Sequence, residues 1–141
     1  MKSICIIGNT DQGGYGHSLD VSFTGVEGAE VVAVSDPIEE GRNGALERSG
    51  AREGYADYEE MLKTERPDIA VIATHDLRNH LEYVQAAAAY GAHLYVEKPL
   101  ARTPEEVDQM LETCDKANVA LVMAHPWRGR PQIQKSVIPM I

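Results

Sequence analysis

The sequence predicts a doubly wound α/β fold: one parallel sheet with helices on both faces, in a single domain. Three observations predict it. Short apolar runs, most of them rich in β-branched residues, recur along the chain at 3–7, 30–35, 68–74, 92–97 and 119–124. Stretches with helix caps and helix breakers lie between them, and strands that alternate with helices pair in parallel. The run Asp68-Ile69-Ala70-Val71-Ile72-Ala73-Thr74 is apolar almost throughout, as suits a strand covered on both faces.

Each element has a local reason. Ser3 to Ile7 is a strand that breaks at Gly8. The stretch Gly8-Asn9-Thr10-Asp11-Gln12-Gly13-Gly14-Tyr15-Gly16-His17 follows, and Leu19, Val21 and Phe23 lie in a segment predicted to carry the first helix. The second strand ends at Asp36-Pro37. A weakly helical stretch, 38–49, stops at Gly50, and Tyr55-Ala56 reads as a very short third strand. Asp57-Tyr58-Glu59-Glu60 has the form of a capping box and opens a helix through Met61 and Leu62. Leu77 to Tyr90 is an alanine-rich helix with Gly91 in the C′ position. Thr103-Pro104-Glu105-Glu106 combines an N-cap threonine, proline at N1 and glutamate at N3. Val107, Met110, Leu111, Cys114 and Ala117 make the apolar stripe of that helix. Gln132 to Ile141 is predicted to be helical, and its apolar end (Val137, Ile138, Met140, Ile141) has nothing to cover it. The expectation is a chain cut from something longer.

Composition removes several functions. Thirteen basic against twenty-two acidic side chains give a net charge of −9, which argues against nucleic acid or an anionic membrane as partner. Cys5 and Cys114 sit in apolar patterns and read as small buried hydrophobes, with no paired-cysteine motif. No apolar run approaches transmembrane length, and the amino terminus leads directly into a strand, so a cytoplasmic location is expected. The five histidines have no metal-ligand spacing, and there is no G-x-S-x-G nucleophile motif.

The chemistry gathers where strands end. A glycine-rich turn after the first strand of such a fold binds a pyrophosphate, because glycine admits close backbone approach and helix N–H groups attract anions. Gly8, Thr10 and Gly13 occupy the three G-x-G-x-x-G positions, with threonine in the middle one. Alternatively Gly13, Gly14 and Gly16 form a longer loop that includes Tyr15, and the helix starts near His17. Asp36 lies where an acidic residue takes the adenosine ribose hydroxyls and repels a 2′-phosphate, which favours NAD over NADP. An Asp-Pro turn explains the same residue without a ligand, and Arg42 is placed to receive a 2′-phosphate. Thr74, His75 and His80 follow the strand at 68–74 and are candidates for nicotinamide or ribose contacts, or plain polar caps. At the end of the 92–97 run stand Glu97-Lys98-Pro99. Pro99 keeps Lys98 out of helix, and a lysine held at a sheet edge binds a phosphate or hydroxyl or moves a proton. The alternative is a solvated Glu-Lys pair.

With the glycine loop, Asp36, Ile72-Ala73-Thr74 and Glu97-Lys98-Pro99 in hand, the chain resembles the amino-terminal half of the glucose–fructose oxidoreductase / inositol dehydrogenase / MocA (Gfo/Idh/MocA) family. Asp57-Tyr58-Glu59-Glu60-Met61-Leu62, Pro67-Asp68-Ile69 and Gly91-Ala92-His93-Leu94-Tyr95-Val96-Glu97-Lys98-Pro99-Leu100-Ala101 follow the family pattern in order and spacing. The resemblance implies a Rossmann domain, residues 1–125, binding NAD or NADP, with 126–141 beginning the connection to a carboxyl-terminal domain absent from this chain. It implies that Lys98 positions substrate and cofactor, that a cis peptide bond precedes Pro99, and that Trp127 and Arg128 stand near the nicotinamide end. It also implies a sugar, polyol or related hydroxyl substrate and a homo-oligomer built through the absent domain. Two departures stand out. The glycine loop is longer than the family's, and His75-Asp76 replaces the usual Pro-Asn. The predicted function is therefore the NAD(P)-binding domain of an oxidoreductase, inactive as an isolated chain. The alternatives are a stand-alone module that senses NAD(H) or a CoA-like ligand, and an S-adenosylmethionine methyltransferase, in which Glu97-Lys98-Pro99 would have no role.

Overall fold

A computed structural model describes residues 1–125. The strands are β1 (Lys2–Ile7), β2 (Ala29–Ser35), β3 (Glu53–Tyr55), β4 (Ile69–Ile72), β5 (His93–Val96) and β6 (Leu121–Met123). The helices are α1 (Glu39–Ser49), α2 (Tyr58–Glu65), α3 (His80–Ala89) and α4 (Pro104–Ala117). All strands pair in parallel, in the order β3-β2-β1-β4-β5-β6. The chain winds outward from β1 in one direction to β3 and then in the other to β6. The strand order therefore reverses between β1 and β4, and a crevice opens at their carboxyl ends.

Capping follows the local chemistry. Asp57 Oδ1 accepts hydrogen bonds from the amides of Glu59 and Glu60 to start α2. Thr103 Oγ1 accepts from the Glu106 amide to start α4, with Pro104 in its first turn. Met61, Leu62, Val84, Ala87, Met110 and Cys114 pack one sheet face beneath α2, α3 and α4. Leu111, predicted on the stripe of α4, is 47% exposed. Burial pushes the Cys5 thiol up to about 12 and also raises Cys114, so both are inert packing groups. Met110 is fully buried. Met110→Ala is expected to cost about 2–5 kcal/mol, read as a lower urea midpoint at unchanged slope; a loss below roughly 1 kcal/mol would mean that α4 packs more loosely than the structure has it.

The first predicted helix does not form. Between β1 and β2 the chain makes only short 3-10 turns, Thr10–Gln12 and Leu19–Val21. Ser18 at φ 60° and Gly25 at φ 76° are left-handed, which leaves too few right-handed residues between them for two helical turns. The other sheet face is therefore covered by α1 and by the side chains of Tyr15, Leu19 and Phe23 from an irregular segment.

Candidate functional site

The carboxyl edge of the sheet around the crevice between β1 and β4 brings together several of the residues singled out from the sequence. Strand order brings them there, since Gly8, Asp36, Thr74 and Glu97 each stand one or two positions beyond the end of β1, β2, β4 or β5.

The glycine loop folds back on itself. Asn9 and Gly14 pair across it, the Gly14 amide donating to Asn9 O at 2.8 Å, while Asn9 Oδ1 caps the first 3-10 turn. The Tyr15 ring lies over Gly8, where a Cβ would fall 2.2 Å from Tyr15 Cε1. Glycine at this position makes room for the tyrosine. Tyr15 is buried and its hydroxyl has no hydrogen-bond partner among the described residues. Burial, followed by the nearby Asp36 charge, pushes its pKa far up, so the phenol stays neutral. At the far side of the loop a Cβ on Gly13 would fall 2.6 Å from that of His75. The Asp76 amide donates to Gln12 O at 3.0 Å, which joins the loop to the exit of β4.

Asp36 is fully buried. Its carboxylate accepts from the Thr10 amide at 3.2 and 3.0 Å, from Thr10 Oγ1 at 2.8 Å and from the Ile38 amide at 2.9 Å. Arg42 Nη1 donates to the Asp36 carbonyl at 2.7 Å. The carboxylate expected to face a ribose thus faces Thr10.

Glu97 is the second buried carboxylate. It accepts from the His17 amide at 2.8 Å, from the Lys98 amide at 2.7 Å and pairs with His17 Nδ1 at 3.1 Å. His17 is partly exposed, and its ring stands 5.3 Å from that of exposed His75. Lys98 is half-buried, makes no ion pair among the described residues, and sits before a cis peptide bond to Pro99, as the resemblance implied. Its side chain borders an open hollow of about 530 Å³ with Leu100, Val107, Met123 and His125.

His80 does not reach the crevice. It is fully buried, with Nε2 2.8 Å from Thr74 O and Nδ1 3.0 Å from Leu100 O, and so ties the exit of β4 to the segment after Pro99. Thr74 is buried as well, with Oγ1 unpartnered among the described residues. Trp127 and Arg128 lie outside the described residues. His17 and Thr10 matter more than the sequence reading had them. Thr10 stands in the glycine motif, but its bond to Asp36, 26 residues on, has no local signal, and neither has the bond of His17 to Glu97, 80 residues away. Among the described residues no group of three or more His, Cys, Asp or Glu is arranged to hold a metal, and no helix is long and apolar enough to cross a membrane.

Beside the loop, a cavity of about 270 Å³ opens between Gly8, Pro37, Ala56, Tyr58 and Tyr83. Its position beyond β2, next to Asp36 and flanked by two aromatic rings, suits the adenosine half of a dinucleotide. The residues present fit such a cofactor, and Thr10 is bonded to the carboxylate expected to take its ribose.

Fold and crevice together define a doubly wound dinucleotide-binding domain. The chain belongs to the Gfo/Idh/MocA family, described as an oxidoreductase family with an NAD-binding Rossmann fold, which it matches over residues 3–125. It is 33% identical over 109 residues to D-apiose dehydrogenase of Paraburkholderia graminis, covering 77% of this chain and 29% of that protein. It is 32% identical over 96 residues to myo-inositol 2-dehydrogenase of Thermotoga maritima, covering 68% of this chain and 28% of that protein. The same fold recurs, at a TM-score of 0.84 and 23% identity, in an oxidoreductase from Agrobacterium radiobacter in complex with NAD+, L-tartaric acid and magnesium, across 99% of this chain and 40% of that one. The chain spans less than a third of the length of these curated relatives.

Proposed function

We propose that this chain is the NAD(H)-binding domain of a dehydrogenase that oxidises a hydroxyl on a sugar, polyol or related compound. The observation that carries it is the convergence of Asp36, the glycine loop and Glu97-Lys98 on one crevice, with the 270 Å³ cavity at its adenosine side. The adenine ring fills that cavity beside Tyr58, and Asp36 takes the ribose hydroxyls. The loop from Gly8 to Gly14 lies along the pyrophosphate, and Thr74, His75 and Glu97 border the nicotinamide half. When bound, the nicotinamide would supply the acceptor for the hydride from the substrate carbon, and the hydroxyl proton would pass to a base outside the described residues. Lys98, anchored through its amide to Glu97, orients the reacting hydroxyl and stabilises negative charge on its oxygen. Residues 126–141 begin the connection to a second domain that completes the substrate site, and the isolated chain binds cofactor without turnover. The relatives' dehydrogenase activities and the family's NAD-binding fold support this reading.

Parallel titrations with NADH and NADPH test it, with Trp127, the single tryptophan, reporting by energy transfer to the reduced nicotinamide. Saturable binding that favours NADH is expected. Absence of binding for both dinucleotides would remove the cofactor role, and a preference for NADPH would remove Asp36 as the ribose ligand.

A further inference from the structure

Within the cofactor reading above, on which this inference rests, we propose that Thr10 sets the affinity of the ribose subsite. It occupies the Asp36 carboxylate, and a dinucleotide must displace it. The middle position of a G-x-G-x-x-G turn carries glycine where the backbone must approach the cofactor closely. Here the position carries Thr10, and its side chain is turned onto the group that would bind the ribose, with Oγ1 2.8 Å from Asp36 Oδ2.

The arrangement is built from both sides. Helix α1 has glycine at position 41, where a Cβ would fall 1.8 Å from Thr10 Oγ1 and 2.8 Å from Asp36 Oδ2. Any larger residue there would expel the threonine hydroxyl. On the opposite side the Ile38 amide holds Asp36 Oδ1 at 2.9 Å, leaving Oδ2 as the oxygen over which Thr10 and a ribose compete. Asp36 is 0% exposed, so the two cannot share it. A ribose brings two hydroxyl donors to replace the amide and hydroxyl of Thr10. The gross exchange is near balance, and the lost internal bonds appear as weaker apparent binding. A hydrogen bond to a buried carboxylate is worth roughly ten- to a hundredfold in an equilibrium constant.

The test compares the unaltered chain with Thr10→Gly, Thr10→Ala and Thr10→Ser, each titrated with NADH and NADPH, with circular dichroism as a check on folding. Gly and Ala, which lack the hydroxyl, are expected to tighten NADH binding by roughly ten- to a hundredfold. Ser, which keeps it, is expected to stay near the unaltered value. NADPH should gain less than NADH, because its ribose keeps only the 3′-hydroxyl as a donor and the carboxylate repels its 2′-phosphate. Equal NADH affinities across all four chains, or weaker binding by folded Gly and Ala variants, would overturn the proposal while leaving the cofactor reading in place. If none of the four binds NADH, the cofactor reading falls and this inference with it. Should Thr10→Gly fail to fold, the Ala and Ser pair alone decides, since they differ in the hydroxyl while both retain a Cβ.

Discussion

Glu97→Ala is expected to lower folding stability by about 3–5 kcal/mol. The carboxylate is fully buried and is the acceptor for two backbone amides and one imidazole nitrogen. Removing it takes away the partner of the His17 and Lys98 amides, and each such loss costs about 1–3 kcal/mol. The cavity left by the side chain adds to that. The effect spreads because Glu97 holds two segments together. Through His17 it anchors the end of the glycine loop, and through Lys98 it fixes the start of the Lys98-Pro99 turn. Glu97→Gln keeps the volume and one acceptor oxygen, and is expected to cost about 1–3 kcal/mol. Urea denaturation of the three chains checks both values. An alanine variant within about 1 kcal/mol of the unaltered chain would mean that water reaches this carboxylate and the loop is not held there.

In the complete enzyme, Lys98→Ala is expected to reduce kcat for hydroxyl oxidation by about 10²–10⁴-fold. The change should fall on kcat more than on the NADH dissociation constant, because the ammonium acts on the reacting oxygen while most cofactor contacts lie elsewhere in the crevice. Folding should be nearly unaffected, since Lys98 is only half-buried and has no ion-pair partner among the described residues. Lys98→Arg is not expected to restore the rate, because a planar guanidinium cannot place its charge where a compact ammonium sits. Single-turnover hydride transfer separates the steps. A loss confined to cofactor affinity, with the transfer rate unchanged, would make Lys98 a binding residue and remove it from the chemistry.

These two neighbours mark a division within the motif. Glu97 points inward and acts through the segments it holds; Lys98 is half-buried beside the open hollow and carries the proposed chemistry. A phenotype of the Glu97 variants on activity is therefore to be read against their stability, whereas one of the Lys98 variants is not. The same distinction separates the two histidines considered beside Thr74. His80 is a buried tie between two carbonyls, and His75 is exposed at the crevice.

Much of the architecture was legible in the amino-acid sequence by itself. The apolar runs placed five of the six strands to within a few residues, because a strand covered on both faces must be apolar along its length, while the short β3 was read from Tyr55-Ala56 alone. Asp57, Thr103 and Gly91 marked helix ends through local chemistry that acts within a turn of the chain. The Glu97-Lys98-Pro99 element and the residues before it carried the family. What only the tertiary structure decided is what those strand-end residues face. Gly8, read as room for a phosphate, makes room for the ring of Tyr15. Asp36, read as a ribose ligand, is held by Thr10, and the expected helix after the loop gives way to 3-10 turns. The physical reason is that strand and cap signals depend on neighbours in sequence. The state of a buried carboxylate depends on which donors the fold delivers to it, and here they come from 26 and 80 residues away.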